Sequence, residues 1–204
     1  MKVFIVDGGL AYHRMFEERG WDVISSIEGA DLVQFTGGSD VSPYLYGEET
    51  HPLTFTNPKR DTVEQEIFKQ AIENGIPMAG ICRGSQLLNV LCGGSLYQHV
   101  DNHTRGHEIL TLDTDEIIQA TSTHHQMMRP HKDAIVTAVA YVNLAMVKQR
   151  MFGNEVVDDG GEGDDIEAVF YEKQKVFCFQ PHPEAFIGGM QNYYFKSLKT
   201  YLGV

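Results

Sequence analysis

Residues 77–86 read Pro77-Met78-Ala79-Gly80-Ile81-Cys82-Arg83-Gly84-Ser85-Gln86 and lead directly into the apolar segment 87–91. This pattern predicts a β-strand, a sharp turn and an α-helix, with Cys82 at the turn. Gly80 and Gly84 lie two residues away on either side, and they remove side chains that would clash in so tight a turn. The N-terminus of a helix also favours the thiolate form of a cysteine. We therefore interpret Cys82 as a nucleophile. The alternative is a buried cysteine in a strand–helix loop.

The segments before and after this stretch alternate between strand and helix patterns. Strands are predicted at residues 2–6, 21–24 and 31–35, and helices at residues 12–18, 61–74 and 190–201. In the helix 61–74, Asp61 is predicted to cap the N-terminus, with Glu64 three residues on as in a capping box. Alternating strands and helices predict βαβ units and a doubly wound sheet.

A different pattern occupies the second half of the chain. Residues 108–112, 116–120 and 135–140 are short apolar segments that indicate hairpins or edge strands, and residues 166–171 and 175–179 indicate two strands of a hairpin. The chain contains no internal repeat or long linker that would divide it. We therefore expect one domain over residues 1–204.

The bulk composition argues against several classes of function. The formal net charge is -12, whereas binding to nucleic acid or to an anionic membrane surface needs a basic footprint. Three cysteines without a Cys-x-x-Cys pair indicate neither a disulfide framework nor a zinc ribbon. Residues 1–7 turn polar too soon for a signal peptide or a membrane span. We expect a cytoplasmic protein with no nucleic-acid or membrane partner.

A thiol nucleophile needs a base, and the base needs a group that orients it. His182 follows the predicted strand 175–179, and the crevice of an open α/β sheet lies beyond the carboxyl ends of its strands. Glu184 is two residues further, so in an extended chain it projects to the same side as His182. We predict that His182 is the base and Glu184 its orienting carboxylate. The alternative is a surface histidine in a proline-rich turn.

An acyl-transfer site also needs N–H donors for the charge that develops on the carbonyl oxygen. Gly37 and Gly38 end the third predicted strand, and no side chain prevents them from turning an amide toward the site. The amide of Arg83, the residue after the nucleophile, is the second natural donor. Taken alone, the glycine pair would indicate only a simple turn.

The remaining histidines predict no metal site and no cofactor. His103 and His107 are four residues apart without a helical pattern, and the pair His124-His125 has no carboxylate or cysteine in a recognisable ligand spacing. The acidic, glycine-rich segment 154–165 lacks the spacing of an EF-hand loop and is interpreted as a solvated turn. The expected ligand set for a metal is therefore none.

Two motifs about a hundred residues apart, at 80–86 and 180–184, together resemble those of the class I glutamine amidotransferase superfamily. Further motifs resemble the γ-glutamyl-γ-aminobutyrate hydrolase-like (peptidase C26) branch. They are the segment 36–43, Tyr46-Gly47, Arg60-Asp61 with Glu64, Asn89-Val90, the segment 93–98 and the segment 122–126. The resemblance covers nearly the whole chain.

This resemblance implies a fold and a chemistry. The fold is a flavodoxin-like three-layer sandwich, in which helices flank a mainly parallel mixed sheet with a smaller antiparallel portion. The chemistry is cleavage of a γ-glutamyl amide by a triad of Cys82, His182 and Glu184 through a γ-glutamyl thioester, with the Gly38 and Arg83 amides as the oxyanion hole. The implied substrate-binding residues are Gly37, Gln86, Ser122, His124, His125 and Gln126.

The chain departs from the family in one respect. It is shorter than a full member of the branch, and the stretch after Asp61 is compact, so the identity of the leaving amine is not carried over. Three hypotheses follow: a free-standing hydrolase of γ-glutamyl amides, a glutaminase subunit that supplies ammonia to a separate synthetase or ligase chain, and a non-catalytic binding or regulatory module. A homodimer is compatible with each.

Overall fold

The computed structural model describes residues 1–185 and 188–204. The strands in these residues are β1 Lys2–Val6, β2 Asp22–Ile24, β3 Leu32–Phe35, β4 Met78–Ile81, β5 Ser95–Tyr97, β6 His99–Val100, β7 His107–Thr111, β8 Glu116–Ala120, β9 Met127–Arg129, β10 Ile135–Ala140, β11 Lys148–Phe152, β12 Glu155–Asp158, β13 Ile166–Tyr171 and β14 Val176–Phe179. The α-helices are α1 Leu10–Glu17, α2 Pro58–Asn74, α3 Arg83–Leu91 and α4 Gly189–Ser197. Short 3₁₀ helices occupy Pro43–Tyr46 and Pro183–Ala185, and a π-helical turn at Leu198–Leu202 continues α4.

The central sheet has nine strands, in the order β2-β1-β3-β4-β14-β13-β10-β7-β8. Its strands from β2 to β14 run parallel to one another. From β14 to β8 each neighbouring pair is antiparallel. Two smaller sheets of the described residues, β12-β11-β6 and β5-β9, lie outside the central one.

Three neighbouring strands, β3, β4 and β14, position the candidate site. Phe35 pairs with Gly80 across β3 and β4, and Ile81 pairs with Phe179 across β4 and β14. Every residue of these three strands is buried, as expected for parallel strands that are covered on both faces. Because their registers align, the strands end side by side, and the residues that follow them meet at one edge of the sheet.

Helices cover both faces of the parallel half. On one face, α1 and α4 pack Phe16 and Tyr194 against Phe177 and Phe179 of β14. On the other face, α2 and α3 contribute apolar residues that pack with Cys178 of the same strand. This alternation along β14 produces three layers, and the fold class expected from the sequence is confirmed.

The start of α2 differs from the prediction. The helix begins at Pro58, and its cap is Asn57, whose side chain accepts a hydrogen bond from the Arg60 amide at 3.3 Å. The predicted capping role of Asp61 is therefore wrong. Asp61 and Glu64 are buried instead, with 0% and 1% exposure, and both bind Arg83.

The segment 154–165 also differs from the prediction of a solvated turn. It contains β12, and Asp165 at its end is fully buried, where it pairs with Lys148 Nζ at 2.8 Å. Elsewhere in the second half, the strands predicted at 116–120, 135–140 and 166–171 have the bounds that the structure shows. Within residues 1–185 and 188–204, no helix combines the length and the apolar character that crossing a bilayer requires.

Candidate active site

Cys82 occupies a sharp elbow between β4 and α3, with φ 51° and ψ −116°. Residues other than glycine rarely adopt a positive φ, so this conformation is strained. The flanking glycines explain how the turn closes. A Cβ atom on Gly80 would lie 2.5 Å from the Gly84 carbonyl, and one on Gly84 would lie 2.6 Å from the Phe35 carbonyl. The glycines thus allow α3 to begin directly against β3 and β4.

His182 and Glu184 follow β14, the strand next to β4. The Nδ1 atom of His182 lies 2.6 Å from Glu184 Oε1, so the carboxylate fixes the ring and holds the proton on Nδ1. The backbone of His182 is held as well. Its N–H donates to Thr121 Oγ1 at 3.0 Å, and its carbonyl accepts from the same hydroxyl at 3.1 Å. The structure therefore places His182 and Glu184 in direct contact, just after the strand next to the one that ends before Cys82; their role as a triad with Cys82 stays a prediction.

The charge on His182 is set by its neighbours. Burial lowers the pKa of His182, but the interactions with Cys82 and Glu184 outweigh burial and raise the pKa to about 10. At neutral pH the ring is therefore an imidazolium. An imidazolium beside a cysteine thiolate is the ion pair that cysteine–histidine acyl transfer uses.

The two residues predicted to supply oxyanion donors, Gly38 and Arg83, follow the neighbouring strands β3 and β4 at the same edge of the sheet. Arg83 is the first residue of α3, and the first N–H groups of a helix have no partner within it. Gly38 follows β3 with φ 153°, a value that favours glycine. The carbonyl of Gly37 accepts from Arg60 Nη1 at 3.0 Å, which fixes the peptide that carries the Gly38 N–H. The amide of Gly37 itself is already bonded to the Tyr12 hydroxyl, at 3.0 Å.

A network of buried ion pairs and hydrogen bonds lies next to this edge of the sheet. Arg83, with 1% exposure, donates to Asp61 Oδ1 at 2.5 Å and to Glu64 Oε2. Arg60 Nε donates to the other oxygen of Glu64 at 2.8 Å, and Ser42 Oγ donates to Asp61 Oδ2 at 2.5 Å. The network therefore joins α2 to the elbow and to the glycine turn after β3.

The side chains expected to bind substrate form hydrogen bonds with other groups of the protein. Gln86 is buried on α3 and donates to the Gln126 carbonyl at 3.1 Å and to Gln180 Oε1 at 3.2 Å. Gln126 is buried, and its amide lies 3.4 Å from Thr54 Oγ1. The other contacts are Ser122 Oγ to the His103 carbonyl, His124 Nδ1 to the Gln126 carbonyl at 2.9 Å, and His125 Nε2 to Asp40 Oδ1 at 3.1 Å. Their roles in substrate binding stay predictions.

Two site residues were not predicted. Thr123 Oγ1 lies 3.1 Å from His182 Nε2, the nitrogen that faces away from Glu184. The Tyr12 hydroxyl, on α1, accepts the Gly37 amide, and burial followed by the charge of Glu184 raises the pKa of Tyr12 well above its ordinary value. Thr123 lies inside the segment 122–126 that the motifs marked, whereas no local pattern indicates Tyr12.

Among the described residues, His103, His107 and Glu167 form a group that could hold a metal ion. One ligand atom from each lies within 4.8 Å of the others. The carboxylate that was missing from the sequence pattern is supplied by β13, which pairs with β10 as β10 pairs with β7. The cluster shares no residue with the set formed by Cys82, His182 and Glu184.

Comparison with known proteins identifies relatives of this chain. The family model described as Peptidase C26 matches residues 6–184. The chain is 37% identical over 164 residues to YvdE, a glutamine amidotransferase-like protein of Lactococcus lactis subsp. lactis, covering 76% of this chain and 66% of YvdE. It is 29% identical over 162 residues to the carbamoyl phosphate synthase small chain of Helicobacter hepaticus, covering 78% of this chain and 36% of the relative. The chain thus spans less than two thirds of the length of either protein.

The fold has a counterpart among solved structures. The crystal structure of a glutamine amidotransferase from Thermotoga maritima superposes with a TM-score of 0.62 at 16% identity, covering 100% of this chain and 84% of that one. At this identity the likeness shows the fold alone. The family model, in contrast, matches most of the chain in sequence. The chain therefore belongs to the Peptidase C26 family.

Proposed function

We propose that the chain is a cysteine-dependent hydrolase of γ-glutamyl amide bonds, in glutamine or in a γ-glutamyl amine. The observation that carries the proposal is the position of Cys82 on the elbow after β4, beside the His182–Glu184 pair that follows the adjacent strand β14. A nucleophile, a base and an orienting carboxylate on neighbouring strand ends are the parts that acyl transfer requires.

In the first half of the proposed reaction, the Cys82 thiolate, paired with the His182 imidazolium, attacks the side-chain carbonyl carbon of the γ-glutamyl group. The carbonyl oxygen becomes an oxyanion, and the amides of Gly38 and Arg83 donate to it. The C–N bond then breaks, and His182, an imidazolium at neutral pH, gives its proton to the leaving amine. The products of this half are a γ-glutamyl thioester on Cys82 and a free amine.

In the second half, the neutral His182 ring accepts a proton from water as the water oxygen attacks the thioester. The tetrahedral intermediate is held by the same two amides, and it collapses to release glutamate and the Cys82 thiolate. Glu184 holds the ring through Nδ1 in both halves, so Nε2 is the nitrogen that exchanges protons.

Buried side-chain amides near the elbow support recognition of the glutamyl moiety. Gln86, one turn after Cys82, donates to Gln180, which precedes the catalytic pair by two residues. Gln126 Oε1 and Gln180 Nε2 are buried without a hydrogen-bond partner among the described residues. Because an unpaired buried polar atom is unfavourable, these two atoms are available to a polar ligand group.

The direct test is an assay of the purified chain with glutamine and with a series of γ-glutamyl amines, measuring the glutamate released. Cys82→Ala should lower turnover at least about a thousandfold, because the nucleophile is lost. Cys92→Ala is the matched control: it is another buried cysteine, at the opposite end of α3. Hydroxylamine added during turnover should intercept the thioester as γ-glutamyl hydroxamate. Activity that survives in Cys82→Ala, or no turnover of any γ-glutamyl compound, would contradict the proposal.

A second candidate is a glutaminase subunit that delivers ammonia to a separate synthetase chain. The similarity to a protein named as the small chain of carbamoyl phosphate synthase favours it. The two candidates share the triad and differ in substrate range. A subunit of this kind should hydrolyse glutamine in preference to every substituted γ-glutamyl amine, and its turnover should rise when the partner chain is present. A preference for a substituted amine would exclude it.

A further inference from the structure

Three imidazole nitrogens converge on one buried carboxylate oxygen, Glu167 Oε1 of β13. His107 Nε2 lies 2.9 Å from this oxygen, His103 Nδ1 lies 3.4 Å from it, and His124 Nε2 lies 3.9 Å from it. Glu167 and His103 have 0% exposure and His124 has 4%. The four side chains come from the loop before β7, the first residue of β7, the loop after β8, and β13.

In each ring, the outer nitrogen, which is the one that faces away from Glu167, lies within hydrogen-bond distance of another acceptor oxygen. These acceptors are Asp165 Oδ2 for His103 Nε2 at 3.1 Å, the Arg105 carbonyl for His107 Nδ1 at 3.3 Å, and the Gln126 carbonyl for His124 Nδ1 at 2.9 Å. In the tautomer that carries the N–H on the outer nitrogen, which metal binding requires, the lone pair of the inner nitrogen faces Glu167. Lone pairs directed at a carboxylate repel it unless a cation lies between them. Histidines that bind metals are held in this way, with the other N–H donated to a carboxylate or a backbone carbonyl.

Three buried polar atoms of this histidine–glutamate cluster are unpaired. His103 Nδ1, His124 Nε2 and Glu167 Oε2 are buried and have no hydrogen-bond partner within residues 1–185 and 188–204. Nearly all buried polar atoms in proteins are paired, because leaving one unpaired is unfavourable. Unpaired donors from separate segments that face one point indicate a missing partner.

The spacing fits a small divalent ion. With metal–ligand bonds of about 2.0–2.1 Å, tetrahedral ligands lie roughly 3.3 Å apart, and the three N–O separations of 2.9, 3.4 and 3.9 Å lie around that value. Imidazole nitrogens with one carboxylate suit zinc better than magnesium or calcium, which prefer oxygen ligands. We propose that His103, His107 and Glu167, whose ligand atoms lie within 4.8 Å of one another, bind one Zn²⁺ ion, and that His124, whose Nε2 lies 3.9 Å from the same carboxylate oxygen, moves closer to complete the site.

The proposed ion is structural, since four protein ligands leave no open position for substrate. It would join β7 and β13 to the segment after β8. His124 follows Thr123, which contacts His182, and Ser122 in the same segment donates to the His103 carbonyl. Bound zinc would therefore hold the segment that borders the catalytic histidine. The proposal replaces the sequence-based expectation of no metal and does not depend on the proposed hydrolase activity.

The test begins with full-length protein treated with a chelator and then titrated with ZnCl₂ by calorimetry. We expect one Zn²⁺ per chain, and a higher melting temperature with zinc than with MgCl₂ or CaCl₂. Replacement with Co²⁺ should give the intense visible absorption of a tetrahedral site. X-ray absorption of the zinc-loaded protein should show a first shell of nitrogen and oxygen atoms, with imidazole scattering beyond it.

His107→Asn is the informative variant, because His107 is the most exposed of the four ligands. It should lower zinc affinity at least about 100-fold, since even the partners of ligands contribute 10–100-fold. His131→Asn, the same substitution at a histidine that follows β9 and pairs with Asp133, should leave zinc affinity unchanged. Equal zinc binding by His107→Asn and wild type would overturn the proposal.

Wild-type measurements decide the question if His107→Asn does not fold. Substoichiometric zinc, a Co²⁺ spectrum typical of six-coordination, or tighter binding of Mg²⁺ than of Zn²⁺ would each overturn the site. Those results would leave protons as the only cations between the rings and Glu167. None of these readouts uses enzymatic activity, so they remain decisive even if no γ-glutamyl substrate is turned over.

Discussion

Arg60 and the Gly37 carbonyl form a fixed unit at the edge of the sheet. Arg60 Nη1 donates to the Gly37 carbonyl at 3.0 Å, and Nη2 donates to the Thr36 carbonyl at 3.1 Å. Because the peptide unit is planar and trans, the Gly38 N–H points away from the Gly37 carbonyl. A side chain of α2 therefore sets the direction of an amide that we propose as an oxyanion donor. Arg60 acts here as a positioning residue.

Arg60→Lys should lower kcat about 10–100-fold and leave KM nearly unchanged. Lysine keeps the positive charge beside Glu64, but it lacks the planar fork that reaches Gly37 and Thr36 together. Steady-state kinetics with the best γ-glutamyl substrate measures the effect. Arg129→Lys is the control, because Arg129 has a similar ion pair, with Glu48, outside the site. An increase in KM alone would contradict the positioning role.

Gly38→Ala should lower kcat about 10²–10³-fold, the usual effect of losing one oxyanion donor. At φ 153° a side chain is strained, and its Cβ would collide with the Arg60 guanidinium, so the peptide must move. Gly153→Ala is the matched control, since Gly153 also has a positive φ, 58°, but open space around it. Similar loss of kcat in both variants would indicate a general effect of strain and would exclude a specific donor role for Gly38.

The alkaline limb of the pH–rate profile should report His182. Its pKa is raised to about 10, and the proton is needed for the leaving amine, so kcat/KM should fall as the pH rises through that value. The same raised pKa stabilises the fold fully below the unfolded value of about 6.5, and this contribution is lost as the pH rises through the folded pKa.

Glu184→Gln removes one of the charges that raise the pKa of His182, so the alkaline limb should move to lower pH. Activity at neutral pH should fall by about tenfold or more, because the ring loses its orientation as well. Glu73→Gln, on the exposed face of α2, serves as the control. An alkaline limb that stays in place in Glu184→Gln would show that another group limits activity there.

Asp61→Asn should destabilise the protein by about 3–5 kcal/mol, the usual effect of removing one partner from a buried ion pair. Asp61 binds Arg83 at 2.5 Å with 0% exposure, and asparagine leaves the guanidinium short of a counter-charge. Urea denaturation followed by circular dichroism gives the free energy of unfolding. Glu73→Gln, on the same helix, should change that free energy by less than about 0.5 kcal/mol. If Asp61→Asn also lowered the free energy of unfolding by less than about 0.5 kcal/mol, the prediction would be wrong, and water would have replaced the lost contact.

Local patterns predicted the parts of the site that lie next to strand ends. Cys82, His182 and the Gly37–Gly38 pair each follow a buried apolar run, and the residues beside them suit a turn, because glycine permits tight conformations and proline fixes φ. Parallel strands then bring their carboxyl ends to one edge, so these residues could be expected to meet. The two halves of the sheet were also recognisable, because strands alternate with helices in the first half of the sequence and follow one another directly in the second.

Contacts between distant segments were not predictable. The spacing of Asp61 and Glu64 is typical of a helix cap, and only the packing of α2 against α3 shows that both bind Arg83. His107 and Glu167 are 60 residues apart and meet through the pairing of β7, β10 and β13. A single sequence does not show which strands pair or in which register, so contacts of this kind cannot be predicted from it. For the same reason, residues 154–165 were interpreted as solvent-exposed although Asp165 is buried.

The conformation of Cys82 has a consequence for the evolution of the chain. A residue other than glycine at φ 51° and ψ −116° stores about 1–3 kcal/mol of backbone strain. Glycine at this position would release that strain and remove the proposed nucleophile. Thermal resistance and turnover therefore favour different residues at position 82. A laboratory selection for heat tolerance alone, with no demand for catalysis, should replace this cysteine early.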